Sequence, residues 1–120
     1  MGTGYFASAR LNRQEARDSA LAMLRDTMDS ETAEETARRE AGDAIETLAA
    51  STVSEAQIEN LVVAKGYQDC VTFITDGGAS VVVSSMEGGL QDADVARITE
   101  IVTGETGLPA SAIKIIEAEP

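Results

Sequence analysis

Histidine and tryptophan are absent from this sequence, and only two tyrosines and two phenylalanines represent the aromatics. Without histidine the chain lacks the usual general base and metal ligand of neutral pH. Few rings mean an aliphatic core, built from Ala, Val, Ile, Leu and Met. Basic residues are scarce too: nine Lys and Arg stand against 21 Asp and Glu, for a formal charge of −12. That excess disfavours nucleic-acid binding, which relies on cations at the phosphates, and docking on anionic lipid. The single cysteine, Cys70, cannot form an internal disulfide. No apolar run approaches the ~20 residues that span a bilayer. The opening MGTG is too short and uncharged for a signal peptide. We therefore expect a soluble protein, or a soluble fragment separated from its anchor.

What is present is helical pattern followed by strand pattern. At 120 residues the chain is of single-domain size. Residues 5–28 contain no Pro or Gly, and Ala9, Ala16, Ala20, Met23 and Leu24 fall along one stripe. A stripe so rich in alanine buries little, which predicts an extended arm rather than a core element. A second helix over 31–50 places Ala33, Ala37, Ala41, Ala44, Ile45 and Leu48 at spacings of three and four. Thr52 followed by Glu55 reads as a capping box opening a third helix, with Ile58, Leu61 and Val62 facing the core and Gly66 closing it. From residue 70 the period changes to two: CVTFIT (70–75) and SVVVSS (80–85) flank Asp-Gly-Gly-Ala and predict a hairpin. Val95, Ile98, Ile101 and Val102 mark a fourth helix, and AIKIIE (112–117) a last strand. The organisation expected is α+β. A helical arm over 1–51 precedes an αββαβ domain over 52–120, with a three-stranded sheet and two helices on one face.

The glycine-rich stretch GETGLPASAIKII (104–116) raises the question of a phosphate loop. Such a loop needs strand, glycine turn and helix N-terminus in that order, so that free amides meet the anion. Here the order is helix, glycines, strand. Gly107 and Pro109 therefore read as helix-stop punctuation.

Nothing in the sequence supports an enzyme, a cofactor or a metal. Cys70 lies beside Asp69 rather than a cation, so no thiolate is favoured. Asp76 belongs to a turn, and QDADVARITE lacks the central glycine and final Glu of a calcium loop. The surface suggests protein interaction instead. Placing Val71, Phe73, Val81, Val83, Ile113 and Ile115 on one sheet face supplies a core beneath the third and fourth helices. The other face then carries Cys70, Thr72, Ile74, Ser80, Val82, Ser84, Lys114 and Ile116, a mixture that is not fully polar. It reads either as a slightly apolar open sheet face or as a docking surface for another protein. From it we nominate Thr72, Ile74, Val82, Ser84, Lys114 and Ile116 as partner-binding, together with an unpaired sheet edge.

Three stretches carry a family resemblance: YFASARLNRQEARDSA, IENLVVAKGYQDCVTFITD and VARITEIVTGETGLPASAIKII. They resemble the extracytoplasmic domain of the stage III sporulation protein AH (SpoIIIAH-like) family, whose fold is the ring-building motif of secretion-system basal bodies. The resemblance implies a non-enzymatic module of a sporulation channel. Its anchor would be one N-terminal helix in the mother-cell membrane, absent from these residues, with the domain in the intermembrane space around the forespore. It further implies stage II sporulation protein Q (SpoIIQ) of the forespore as partner, and homo-oligomeric rings. The chain departs from the family pattern at Gly104, in an Ala- and Glu-rich middle helix, and in MEGGLQDAD, where Asp92 replaces the usual Ser or Thr cap. The alternative reading is a soluble acidic adaptor of the same fold with no membrane role. A ~20-residue apolar helix upstream of Tyr5 separates the two.

Overall fold

The computed structural model describes residues 4–120. Helix α1 (Gly4–Asp29) and helix α2 (Glu35–Ala64) form an antiparallel hairpin. They are followed by strands β1 (Cys70–Thr75) and β2 (Gly78–Ser84), helix α3 (Asp92–Thr106), a 3-10 turn (Ala110–Ala112) and strand β3 (Ile113–Ala118). The sheet order is β1-β2-β3, with β1 antiparallel and β3 parallel to β2. The αββαβ pattern is thus present, within an elongated molecule of 57 × 33 × 19 Å. No helix among the described residues is long and apolar enough to cross a membrane.

The helix ends follow local chemistry. Gly107 takes the left-handed conformation (φ 76°) and its N–H bonds the carbonyl of Thr103, so the glycine-rich stretch closes α3 as expected. At its start α3 is capped from Gln91, not Asp92: the Asp94 carboxylate accepts the Gln91 N–H at 2.8 Å. Thr52 and Glu55 do not open a helix. α2 runs unbroken through the expected division at 51/52, and the Thr52 hydroxyl donates back to the carbonyl of Leu48 at 2.8 Å. Such back-bonding lets a threonine sit inside a helix that its capping preference argues against.

The main core lies between the sheet and the C-terminal half of α2 with α3. Ile58, Val62, Ile98 and Val102 pack there on Cys70, Ala79, Val81 and Val83, with Ile113 and Ile115 half-buried against them. Two helices on one face are therefore as expected, but the facing of β1 is corrected. The hairpin turn is the two residues Asp76–Gly77, so Thr75 pairs with Gly78, Phe73 with Ser80 and Val71 with Val82. A turn of even length puts odd-numbered β1 residues on the side of even-numbered β2 residues. Cys70, Thr72 and Ile74 thus join the main core, while Val71 and Phe73 turn to the second face.

The second face is not open along its whole width. Phe6 and Ala9 of α1 cover Val71 and Val82, with Phe73 and Ala118 at the margin. The arm expected over 5–28 is corrected in its first half, which is a layer of the fold. Its stripe also differs, since Met23 is 70% exposed.

Candidate protein-interaction surface

A three-stranded sheet has two edges whose backbone groups need partners. Along β1 every such group at residues 70, 72 and 74 except the Ile74 carbonyl is occupied by a side chain, four of the five from the long helices and one from Asp69. Arg10 Nη2 donates to the Cys70 carbonyl at 2.7 Å, and Arg13 Nη1 to the Thr72 carbonyl at 2.5 Å. The N–H groups of Thr72 and Ile74 donate to Glu59 Oε2 and Glu55 Oε2, each at 2.7 Å. The Cys70 N–H donates to Asp69 Oδ1 at 2.8 Å.

The same groups pair with one another. Arg10 meets Asp69, Arg13 meets Glu59 at 2.7 Å, and Arg17 grips Glu55 through both guanidinium nitrogens. Glu55 is 1% exposed, yet the structure leaves no buried side-chain oxygen or nitrogen unbonded among the described residues. Arginine is suited to this position because its planar fork bonds a carboxylate and a carbonyl together. Burial pushes the Asp69 carboxyl up, but the hydrogen bonds from Arg10 and from the Cys70 N–H outweigh it and hold it below its ordinary value. The ladder therefore fastens α1 to the sheet and closes the β1 edge to other chains.

Five of the six ladder residues, Arg10, Arg13, Arg17, Glu55 and Glu59, were missed by sequence reasoning. Glu55 was assigned to a cap, and the arginines of α1 were given no role. The available signal was spacing: Arg10, Arg13 and Arg17 lie on one helical face at i, i+3 and i+7, and Glu55 and Glu59 at i and i+4.

The β3 edge differs. Among the described residues no side chain bonds its backbone. The Ser85 N–H reaches the Ala118 carbonyl at 2.8 Å, which directs the groups of alternate residues 114, 116 and 118 toward β2. Those of Ile113, Ile115 and Glu117 face outward. Lys114 and Ile116 are exposed beside this edge, Ile116 at 47%.

The six nominated residues thus separate. Lys114 and Ile116 lie together on the exposed part of the second face. Val82 shares that face but is buried under α1. Ser84 is buried, its hydroxyl accepting the Asp69 N–H at 2.9 Å. Thr72 is buried and Ile74 half-buried on the main-core side.

The remaining polar chemistry is structural. Burial pushes the Cys70 thiol up to about 12, so it is a packed thiol rather than a nucleophile at neutral pH. The Tyr67 hydroxyl donates to Asp94 at 2.6 Å and accepts from Arg97 at 3.0 Å, tying the end of α2 to the start of α3. Hydrogen bonds from Tyr67 and the Gln91 N–H hold the Asp94 carboxyl below its usual range. Among the described residues no group of three or more acidic or cysteine side chains is placed to hold a metal.

Known proteins share both the pattern and the fold. The sequence pattern of the family described as SpoIIIAH-like protein matches residues 1–115. A comparison with curated proteins finds no match. Among solved structures, the chain is similar to one of the SpoIIQ–SpoIIIAH pore forming complex. The TM-score is 0.85 at 20% identity, covering 96% of this chain and 97% of that one. It is also similar to the type III secretion system protein EscJ of enteropathogenic E. coli, with a TM-score of 0.53 at 23% identity. That match covers 61% of this chain and 49% of EscJ. At these identities both structural likenesses concern the fold.

Proposed function

The chain belongs to the SpoIIIAH-like protein family, and on that premise we propose that it is a non-enzymatic interaction module that binds a SpoIIQ-type protein through the free edge of β3. The observation that carries this reading is the asymmetry of the sheet: side chains of the Arg–Glu ladder occupy the β1 edge, whereas among the described residues no side chain bonds the backbone of β3. Edge pairing supplies backbone hydrogen bonds, and an adjacent apolar side chain supplies a desolvated centre. Ile116 is that side chain, with Lys114 beside it as a charge for orientation.

A fold shared with a protein solved in the SpoIIQ–SpoIIIAH pore forming complex supports the choice of partner. The module would stand in the space between the mother-cell and forespore membranes and contribute to a channel that links them. The fold likeness to EscJ supports an assembly of several such modules in a ring. With a charge of −12, association should be fastest with a basic patch on the partner and should slow as salt rises.

The test is calorimetric titration with the SpoIIQ ectodomain of the same organism, using wild type and Ile116→Asp. We expect saturable binding by the wild type, and at least roughly tenfold weaker binding by a folded Ile116→Asp variant. Absence of wild-type binding would remove the partner. Unaltered binding by the variant would remove this surface.

A further inference from the structure

We propose that the exposed seam of the α1–α2 hairpin is a two-fold docking surface for a second copy of this chain, closing into a four-helix bundle. The ladder ends at Arg17 on α1 and at Glu55 on α2. Beyond it, no hydrogen bond or ion pair among the described residues joins 18–51 to the sheet or to α3. In that stretch Ala41 alone is buried, while Leu21, Leu24, Ile45 and Leu48 are half-exposed. Two helices bury only the line between them, and stable helical layers need a further element on the remaining apolar stripe.

A groove of about 630 Å³ runs along one side of this hairpin, and its lining includes Gln14, Asp18, Leu21 and Arg25 of α1 with Ile45 and Leu48 of α2. Arg10, Arg13 and Arg17 also line it but are taken up by the ladder; the remaining four α1 residues follow spacings of four, three and four, the repeat that receives another helix. The polar members of the stripe select that helix. Asp18 and Arg25 are seven residues apart on one face, about 10 Å along the axis, with Leu21 between them. Both are exposed, and neither forms an ion pair with a described residue.

Turned end for end about a two-fold axis near Leu21, a second α1 places its Arg25 opposite Asp18 and its Asp18 opposite Arg25. The two leucines meet at the centre. The stripe is therefore complementary to its own antiparallel copy, as an isologous interface requires. A parallel copy would set acid on acid and arginine on arginine. The surface involves no residue of β3, so its test is separate from that of partner binding.

The experiment is sedimentation equilibrium of the whole chain from low to high micromolar concentration. Wild type, Asp18→Arg, Arg25→Asp and the double exchange are compared, with circular dichroism to confirm folding. The wild type should pass from monomer to dimer. Each single exchange should weaken dimerisation by roughly tenfold or more, because it places like charges together at two symmetric positions. The double exchange should restore it. A monomer at every concentration, single variants that dimerise like wild type, or a double exchange that fails to restore the dimer would each overturn the proposal. Assemblies that grow past two copies through this seam would overturn its two-fold closure.

Discussion

One oxygen of Glu59, Oε2, accepts the backbone N–H of Thr72 at 2.7 Å, so an α2 side chain occupies the place of a neighbouring strand. The same oxygen receives Arg13 at 2.7 Å, and Glu55 repeats the arrangement one helical turn earlier with Ile74 and Arg17. Removing such a carboxylate strands both a backbone donor and a guanidinium. Glu55→Ala should cost about 3 kcal/mol, the lower end of the range for breaking a buried pair from one side. Urea unfolding measures this. A loss below about 1 kcal/mol, the value of an exposed pair, would place Glu55 in solvent.

Acid should loosen the Arg10–Asp69 pair of this ladder and, separately, the Tyr67–Asp94 tie. Asp69 and Asp94 are held below their ordinary carboxyl value of 3.8. Their contribution is therefore complete above that pH and is lost as pH falls through the lower folded-state values. Melting temperature followed from neutral pH into this acid window should fall more steeply for wild type than for Asp69→Asn. The variant starts lower and has less to lose. Equal slopes would show that Arg10 does not bias the Asp69 carboxyl.

The first turns of α1 carry a second test. Phe6 is fully buried against Val71 and Val82. Phe6→Ala should destabilise by roughly 3–5 kcal/mol, whereas Phe73→Ala, at a half-buried site, should cost less. Deleting residues 1–28 removes Phe6 and the three ladder arginines together, and should abolish cooperative unfolding. A cooperative transition in the remaining fragment would return α1 to the status of a detached arm.

Two glycines near the end of α3 should respond oppositely. Gly104 has open space around it and no positive φ, so Gly104→Ala should stabilise by roughly 0.5–1 kcal/mol. Gly107 lies at φ 76°, so Gly107→Ala should cost about 1 kcal/mol. Thermal melts of the two variants moving in the same direction would relocate the helix end.

The stripe of α3 with Ile98 and Val102 and its stop at Gly107 were legible in the sequence, and Val81 and Val83 of β2 were placed on the core side although Val82 is buried on the other face as well. β1 was not legible, because CVTFIT offers apolar residues to both sides and both sides are covered. Alternation then has no preferred phase, and size alone favoured Phe73 for the core. The packing of α1 was hidden for another reason. Apart from Phe6 and Ala9 it is held by arginines, and a hydrophobic pattern does not register a polar contact. The exposed pair Lys114 and Ile116 was legible because the alternation of β3 was read in the correct phase.

The central claim is that the free β3 edge docks the partner, and Glu117 tests it most directly. Its N–H faces outward, while its carboxylate accepts the Leu90 N–H at 3.1 Å. Glu117→Ala removes the carboxylate and keeps the edge donor. Glu117→Pro removes both, so comparing the two isolates the backbone group. Titration of both folded variants against the SpoIIQ ectodomain should give near wild-type affinity for the alanine form and at least roughly tenfold weaker binding for the proline form. Equal affinities for the two would contradict docking at this edge.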